Sequence, residues 1–335
     1  MILYLDRKEE IRAMSRRRVG QLGLLDASLA KRGNGRVDAL DRIHGLLDWA
    51  AFDRLLCGIH TAAKGEPSYP PLMMFKVLLL QRWHGLSDPA METALYDRLS
   101  FQRFAGLSLE DETPDHSTIW RFREKLGKDG LIERLMAELT RQLDTHGLLI
   151  KQGTLIDASL ITSAAHRPRM GENPISPVDP DARFGTGNER GRFTFGYKMH
   201  VAVDHGSSLI RECLLTQANI QEVSVATALV PDQAGTVYGD RGYDSAAFRS
   251  FLAERSCGDG VMRRGRTGHP LSPAEVEHNH ALSLVRRTVE PVFGTLKRSY
   301  GFARMRYYNA RRNTVAVLLV CMTFNIKRWH SLAMG

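Results

Sequence analysis

The feature that most limits what this chain can fold into is a change of texture near residue 150. Before it, residues 40–149 read as helices with short connections and no competing strand signal. After Lys151, short apolar runs of strand length alternate with helical patterns, which describes a mixed sheet with helices on its faces. A chain of 335 residues with 43% apolar content has room for both. The expectation is an all-α N-terminal domain over residues 1–149, followed by an α/β domain over residues 150–335.

Within the helical part, Pro70 and Pro71 open the strongly apolar residues 72–83, expected as a buried helix with Pro in its first turn. Residues 88–104 read as the next helix. Thr113-Pro114-Asp115-His116-Ser117-Thr118 is a loop and cap signal ahead of Ile119-Trp120-Arg121-Phe122-Arg123-Glu124-Lys125-Leu126. There Ile119, Phe122 and Leu126 fall at i, i+3 and i+7, one buried stripe, while Arg121 and Lys125 project elsewhere. A helix that reads DNA has this pattern, and so does an ordinary solvated amphipathic helix; the pattern leaves both open. Residues 131–143 form a further helix before a break at Gly147.

In the second part, Thr154-Leu155-Ile156-Asp157-Ala158 is a short apolar strand ending in an acid. Residues 166–191, rich in Pro and Gly, are too punctuated for regular structure and read as a mobile or DNA-contacting loop. Residues 195–204 and 209–216 read as antiparallel strands around the turn His205-Gly206-Ser207-Ser208. Residues 223–229 read as a helix, Thr236-Val237-Tyr238-Gly239-Asp240 as a strand, residues 245–255 as a helix and residues 260–264 as a last strand. The apolar run over residues 315–324 is too short to span a bilayer and reads as a core helix.

Forty-six Lys and Arg against 37 Asp and Glu give a net charge of +9, which favours polyanionic partners. The distribution says more than the sum. Between Ala281 and Arg312 stand Arg286, Arg287, Lys297, Arg298, Arg304, Arg306, Arg311 and Arg312 against one acid, Glu290. A solvated helix whose Glu290 pairs with Arg286 four residues earlier would explain this at a few tenths of a kcal/mol. The four cysteines, Cys57, Cys213, Cys257 and Cys321, lack the spacing of a metal motif or disulfide framework and read as free thiols. Asp6, Arg7, Lys8, Glu9 and Glu10 come too early for a signal peptide's apolar core, which reads against export.

Two strands of this reading end in Asp, at Asp157 and at Asp240. Sites in open α/β sheets gather at the carboxyl ends of parallel strands, and adjacent strands lie about 4.8 Å apart, so both carboxylates can share a metal if their strands are neighbours. The third candidate is Glu290. Val285, Val289, Val292 and Leu296 recur at helical spacing as an apolar stripe, with Arg286, Glu290 and Lys297 one residue around from it. Pro291 either kinks this helix or opens a new one with Glu290 at its cap. Three carboxylates suit hard cations and phosphoryl transfer, with two Mg²⁺ ions, for which Mn²⁺ substitutes, the best fit. His116, His166 and His200 are scattered and form no zinc cluster.

At these residues the chain resembles the DDE transposases of bacterial insertion sequences, specifically the insertion sequence five group. The resemblance covers almost the whole chain. It includes Pro70-Pro71-Leu72-Met73-Met74-Phe75-Lys76 and Pro114-Asp115-His116-Ser117-Thr118-Ile119-Trp120-Arg121-Phe122-Arg123 in the N-terminal part. In the second part it includes Asp157-Ala158-Ser159, Asp179-Pro180-Asp181-Ala182, Phe195-Gly196-Tyr197-Lys198, Gly239-Asp240-Arg241-Gly242-Tyr243 and Val289-Glu290-Pro291-Val292-Phe293-Gly294.

The resemblance implies a ribonuclease-H-like α/β fold in which the strands bearing Asp157 and Asp240 are adjacent and Glu290 lies on a following helix. It implies Asp157, Asp240 and Glu290 as catalytic and metal-binding residues. The wider family carries a Tyr, Arg, Glu, Lys signature around the third acid; Arg286, Glu290 and Lys297 match it, and Ser283 stands at the Tyr position. Arg286 and Lys297 are thereby expected on DNA phosphates, together with Arg298, Arg121, Lys125 and Lys198. The expected partners are double-stranded DNA, both terminal inverted repeats and target, and a second copy of the chain in the DNA complex. The expected location is the bacterial cytoplasm, with the nucleoid and away from membranes. The 50 residues from Asp240 to Glu290 leave no room for a large inserted domain. Two other functions fit the same features: a transposase-derived DNA-binding protein without catalysis, and a metal-dependent nuclease without strand transfer.

Overall fold

The computed structural model describes residues 17–21, 23, 38–59, 67–169, 175–186 and 193–334. Residues 6–10, and residues 170–174 and 187–191 of the Pro- and Gly-rich stretch, lie outside the described residues. The chain divides into two compact units, Met1–Gln142 with His330–Gly335, and Leu143–Trp329.

Among the described residues the regular elements of the first unit are helices: α1 (Ala39–Leu46), α2 (Trp49–Leu56), α3 (Pro71–Trp83), α4 (Asp88–Asp97), α5 (Leu99–Ala105), α6 (His116–Leu126) and α7 (Leu131–Thr145). Pro70 and Pro71 start α3, which is apolar nearly all round and accordingly buried from Met73 to Arg82. The single helix expected over residues 88–104 breaks in two at Arg98, whose backbone is extended (φ −111°, ψ 106°). Asp115 caps α6 by accepting from the Thr118 amide at 2.7 Å. Ile119, Phe122 and Leu126 are buried as their period predicts, and Arg121 is exposed. Arg123 is buried as well, because its guanidinium grips both Asp88 oxygens at 2.8 and 2.5 Å and donates to Gln81 Oε1 at 3.1 Å. That network joins α3, α4 and α6.

Lys76 is the unusual residue of α3. Its ammonium is buried 2.8 Å from His44 Nε2 and 4.7 Å from the Trp49 ring centroid, and burial lowers its pKa to about 8. Between that value and the ordinary 10.5 the unfolded chain holds more protons than the folded one, so stability rises with pH across this window. The cost is fully present below pH 8. Lys76→Met is therefore expected to raise stability at pH 7 by about 2 kcal/mol, with the gain shrinking towards nothing near pH 10.5. Urea midpoints at the two pH values check this, and a less stable variant at pH 7 would contradict it.

The second unit is built on a sheet of β1 (Gly153–Thr162), β2 (Arg183–Thr186), β3 (Phe193–Asp204), β4 (Ile210–Gln217), β5 (Thr236–Gly239) and β6 (Gly258–Val261). The main path runs β2-β3-β1-β5-β6, with β4 also paired to β3. β3 is antiparallel to β1, β2 and β4, whereas β5 runs parallel to β1 and β6 parallel to β5. An antiparallel set followed by parallel strands on the far side of the first strand is a ribonuclease-H-like sheet. The helices are α8 (Ala226–Leu229), α9 (Ala246–Glu254), α10 (Pro273–Arg286), α11 (Glu290–Arg298) and α12 (Ala310–Ala333). Ile156, Val237 and Val261 from three strands meet Leu229, Phe248 and Leu252 in one core.

In the sheet region the structure corrects the reading of β1 and of the stretch that precedes β3. β1 is ten residues long and does not end at its acid: pairing with β3 continues through Asp157↔Val201 to Thr162↔Gly196, so Asp157 sits in mid-strand. The stretch read as a loop contains β2 and a fully buried acid, Asp179, which accepts from Ser163 Oγ, Tyr197 Oη and the Asn309 amide at 2.6, 2.5 and 3.0 Å. A buried carboxylate held by three donors fixes the described part of that stretch against α12's start. The apolar run over residues 315–324 is the middle of α12, and Asn325 clasps the first residue of β4 through both Ile210 backbone groups, at 2.9 and 2.7 Å. Among the described residues no helix is long and apolar enough to cross a membrane.

Candidate active site

The site is set by how β5 enters the sheet. Gly235 has φ +66°, and a Cβ there would lie 2.2 Å from the Gln152 carbonyl oxygen, so only glycine lets the chain pass this close to β1. The Thr236 amide donates to that same oxygen at 3.1 Å, and Thr154 Oγ1 donates to the Ala234 carbonyl at 2.8 Å. The parallel register beyond it pairs Thr154 with Val237 and Leu155 with Tyr238. Asp157 and Asp240 each follow the last pair, Leu155 with Tyr238, by two residues, and the charge of Asp240 acts on Asp157.

β5 stops at Gly239, and Asp240 caps the 3-10 turn Arg241–Tyr243 by accepting from the Gly242 amide at 2.8 Å. Asp157 accepts from its neighbour's Ala158 amide at 2.8 Å and from Arg286 Nη2 at 3.3 Å. Burial pushes the Asp157 carboxyl up to about 6; Arg286 and the Ala158 amide oppose that push, and the nearby charges of Asp240 and Glu222 add to it. Tyr243 is fully buried, the charges acting on it are those of Asp157, Glu222, Asp240 and Arg286, and its hydroxyl has no hydrogen-bond partner among the described residues.

Arg286 is brought to Asp157 by an amide clasp. Asn279, buried in α10, accepts from the Arg263 amide at 2.7 Å and donates to the Arg263 carbonyl at 2.9 Å, which fixes the helix to the exit of β6. Arg286 lies seven residues on, two turns along the same face. It is the last residue of α10. The 3-10 turn Arg287–Val289 comes next, and α11 begins at Glu290 with Pro291 in its first turn. Glu290 is not the cap of α11, because Val289 holds that position, and the backbone stays right-handed helical through the 3-10 turn. A 3-10 turn advances each residue by about 120° against about 100° in an α-helix, so three such residues rotate the start of α11 by about 60° relative to α10. The stripe of Arg286, Glu290 and Lys297 is thus not continuous. Arg286 turns to Asp157, whereas Glu290 is exposed and its carboxylate bonds no described residue.

Of the other expected contacts, Lys297 is half-buried, and burial lowers its pKa; Arg298 is exposed at the end of α11. Lys198 is turned inwards, donating to the Ile220 carbonyl at 2.9 Å and standing 3.4 Å from Glu222 Oε1. Arg304, one of the basic cluster, donates to the Ser163 and Ala164 carbonyls at 3.1 and 2.9 Å. Glu222, Tyr243 and Asn279 are the residues that sequence reasoning did not single out. Only Tyr243 left a signal, as part of the motif with Asp240.

As donors, Asp157, Asp240 and Glu222 are carboxylates suited to a hard divalent cation. Among the described residues no three acid, histidine or cysteine side chains already converge as a closed metal cage. Mg²⁺ does not require one, since it takes one or two carboxylates and completes its shell with water and substrate phosphate oxygens. The donor chemistry and the uncommitted Tyr243 hydroxyl both fit such an ion.

A family model described as Transposase DDE domain matches residues 149–326, more than half of the chain. The chain belongs to the DDE transposases. A second model, described as Transposase domain (DUF772), matches residues 28–125, so the helical unit of this transposase is also one known from transposases. No solved structure matches the chain. DDE transposases are nucleases and transposases that act on DNA with divalent metal ions.

Proposed function

We propose that this chain is the transposase of a bacterial insertion sequence of the insertion sequence five group, which binds terminal inverted repeats, cuts DNA to free a 3′ hydroxyl and directs that hydroxyl at target DNA. The observation that carries the reading is the juxtaposition of Asp157 and Asp240 beside Arg286. Asp157, Asp240 and Glu290 are the catalytic set. Two Mg²⁺ ions held by them would neutralise phosphate charge and activate the attacking oxygen. Glu290 is exposed at the head of α11, where its carboxylate is open to a metal ion or to DNA.

The chain's own cations bind and orient the phosphates. Arg286 offers a planar fork to a phosphate, with Nη2 now donating to Asp157 at 3.3 Å and Nε without a partner among the described residues. Lys297 and Arg298 extend the basic path along α11, and Lys198 adds charge from the sheet side. Residues 150–335 form the catalytic domain of this reading. Residues 1–149 form the domain that recognises the repeats, with Arg121 and Lys125 on α6 as its contacts. The working complex on DNA is a homodimer, in the bacterial cytoplasm with the nucleoid.

The experiment is to incubate the full chain and Mg²⁺ with duplexes carrying the sequences that flank its own reading frame. Nicked ends bearing a 3′ hydroxyl and products joined to a second duplex are the expected result. Binding without cutting would replace this function with that of a DNA-binding protein, and cutting without joining with that of a nuclease.

A further inference from the structure

Glu222 opens the 3-10 turn Glu222–Val225, which comes after β4 and leads into α8. One of its oxygens, Oε1, stands 3.4 Å from Lys198, which is already anchored on the Ile220 carbonyl. The other, Oε2, lies against Gly242. A Cβ placed on Gly242 would lie 2.1 Å from Glu222 Oε2 and 2.9 Å from Asp240 Oδ1, so the two carboxylate oxygens are within about 5 Å of each other across that glycine. Two like charges at this range repel, and a salt bridge with Lys198 alone would not call for one oxygen this close to a second acid. The charges of Asp157, Glu222 and Asp240 act on Tyr243, whose buried hydroxyl has no partner among the described residues, an independent sign that a polar ligand belongs near it.

We propose that Glu222 is a further metal-binding residue of this site, a carboxylate that meets the divalent cation together with Asp240 across Gly242. The proposal rests on the metal reading of Asp157 and Asp240. Lys198 is then the charge that offsets Glu222 while no cation is bound. Gly242 is the residue that keeps the gap between the two acids open, since the smallest side chain there displaces the Glu222 carboxylate.

The test uses the full chain without DNA and Mn²⁺ alone as the probe, with free Mn²⁺ followed by electron paramagnetic resonance. Glu222→Gln and Gly242→Ala are each expected to weaken Mn²⁺ binding about tenfold or more, and Asp157→Asn and Asp240→Asn to weaken it as well. Lys198→Met is expected to tighten it, because a competing positive charge is removed; equal weakening by Lys198→Met and Glu222→Gln would mean that Glu222 serves only to hold Lys198, and would overturn the proposal. Wild-type affinity in Glu222→Gln alongside loss in Asp157→Asn overturns it too, and leaves the metal reading standing. Wild-type affinity in all the acid variants overturns the metal reading itself. Melting curves in a chelator report folding. If Glu222→Gln does not fold, Glu222→Asp keeps the charge with a shorter reach, and wild-type Mn²⁺ affinity in that variant overturns the proposal.

Discussion

Asp157→Asn is expected to lower Mg²⁺-dependent cleavage of end DNA about a thousandfold, a loss of about 4 kcal/mol of transition-state stabilisation, while end binding stays at wild-type strength or rises. The asparagine keeps the shape and the acceptor for the Ala158 amide but removes the charge beside Asp240. Phosphate contacts from Lys and Arg do not depend on that charge, and a repulsion towards DNA is removed. The metal-free stability of the same variant separates this from a folding defect. Burial raises the Asp157 pKa to about 6, so between pH 3.8 and 6 the unfolded chain holds fewer protons and stability falls as pH rises. At pH 7 the full cost of the buried charge is present, and Asp157→Asn should melt higher than wild type by the equivalent of roughly 2 kcal/mol, with no difference near pH 3.5. Wild-type cleavage by the folded variant would sink the catalytic assignment, and a lower melt at pH 7 would make Asp157 a structural residue.

Gly235→Val should be the most damaging single change to the fold. Valine at φ +66° is strained in itself, and its Cβ would meet the Gln152 carbonyl oxygen and carbon at 2.2 and 2.3 Å, backbone atoms that cannot swing aside. The expected loss is about 4 kcal/mol, or roughly 10 °C in melting temperature for a unit of this size. Because Gly235 immediately precedes β5, the surviving folded fraction should also cleave poorly, since β5 can relieve the clash only by shifting Asp240 away from Asp157. A melting temperature within 2–3 °C of wild type, about 1 kcal/mol, would show that this approach is not tight in solution.

Much of this was legible in the sequence because it rested on local patterns. The switch from helical period to strands near residue 150, the buried stripe of Ile119, Phe122 and Leu126, and the apolar strands leading to Asp157 and Asp240 are all set by neighbours a few residues apart. The features that escaped depended on partners far along the chain. The true length of β1 is decided by its pairing with β3, and the burial of Asp179 by Ser163, Tyr197 and Asn309. Periodicity put Arg286 and Glu290 on one stripe, because a helix count assumes one pitch throughout and the 3-10 turn before Pro291 changes it. Glu222 left no trace, since an acid ahead of a short helix looks the same whether it faces water or another carboxylate.

If Arg286 meets phosphate and Asp157 meets metal, as proposed, the contact between the two side chains couples the arrival of DNA to that of metal. A phosphate on the Nη2 edge of Arg286 would compete with Asp157, and a cation on Asp157 Oδ2 would compete with the guanidinium. A phosphate that draws the guanidinium away leaves an acceptor ready for the cation, and a cation on Asp157 releases the guanidinium for phosphate. By thermodynamic reciprocity, whatever factor DNA adds to metal affinity through this ion pair, metal adds to DNA affinity. On the proposed reading, Asp157 would be held by its own arginine off DNA and freed for metal where a phosphate draws that arginine away.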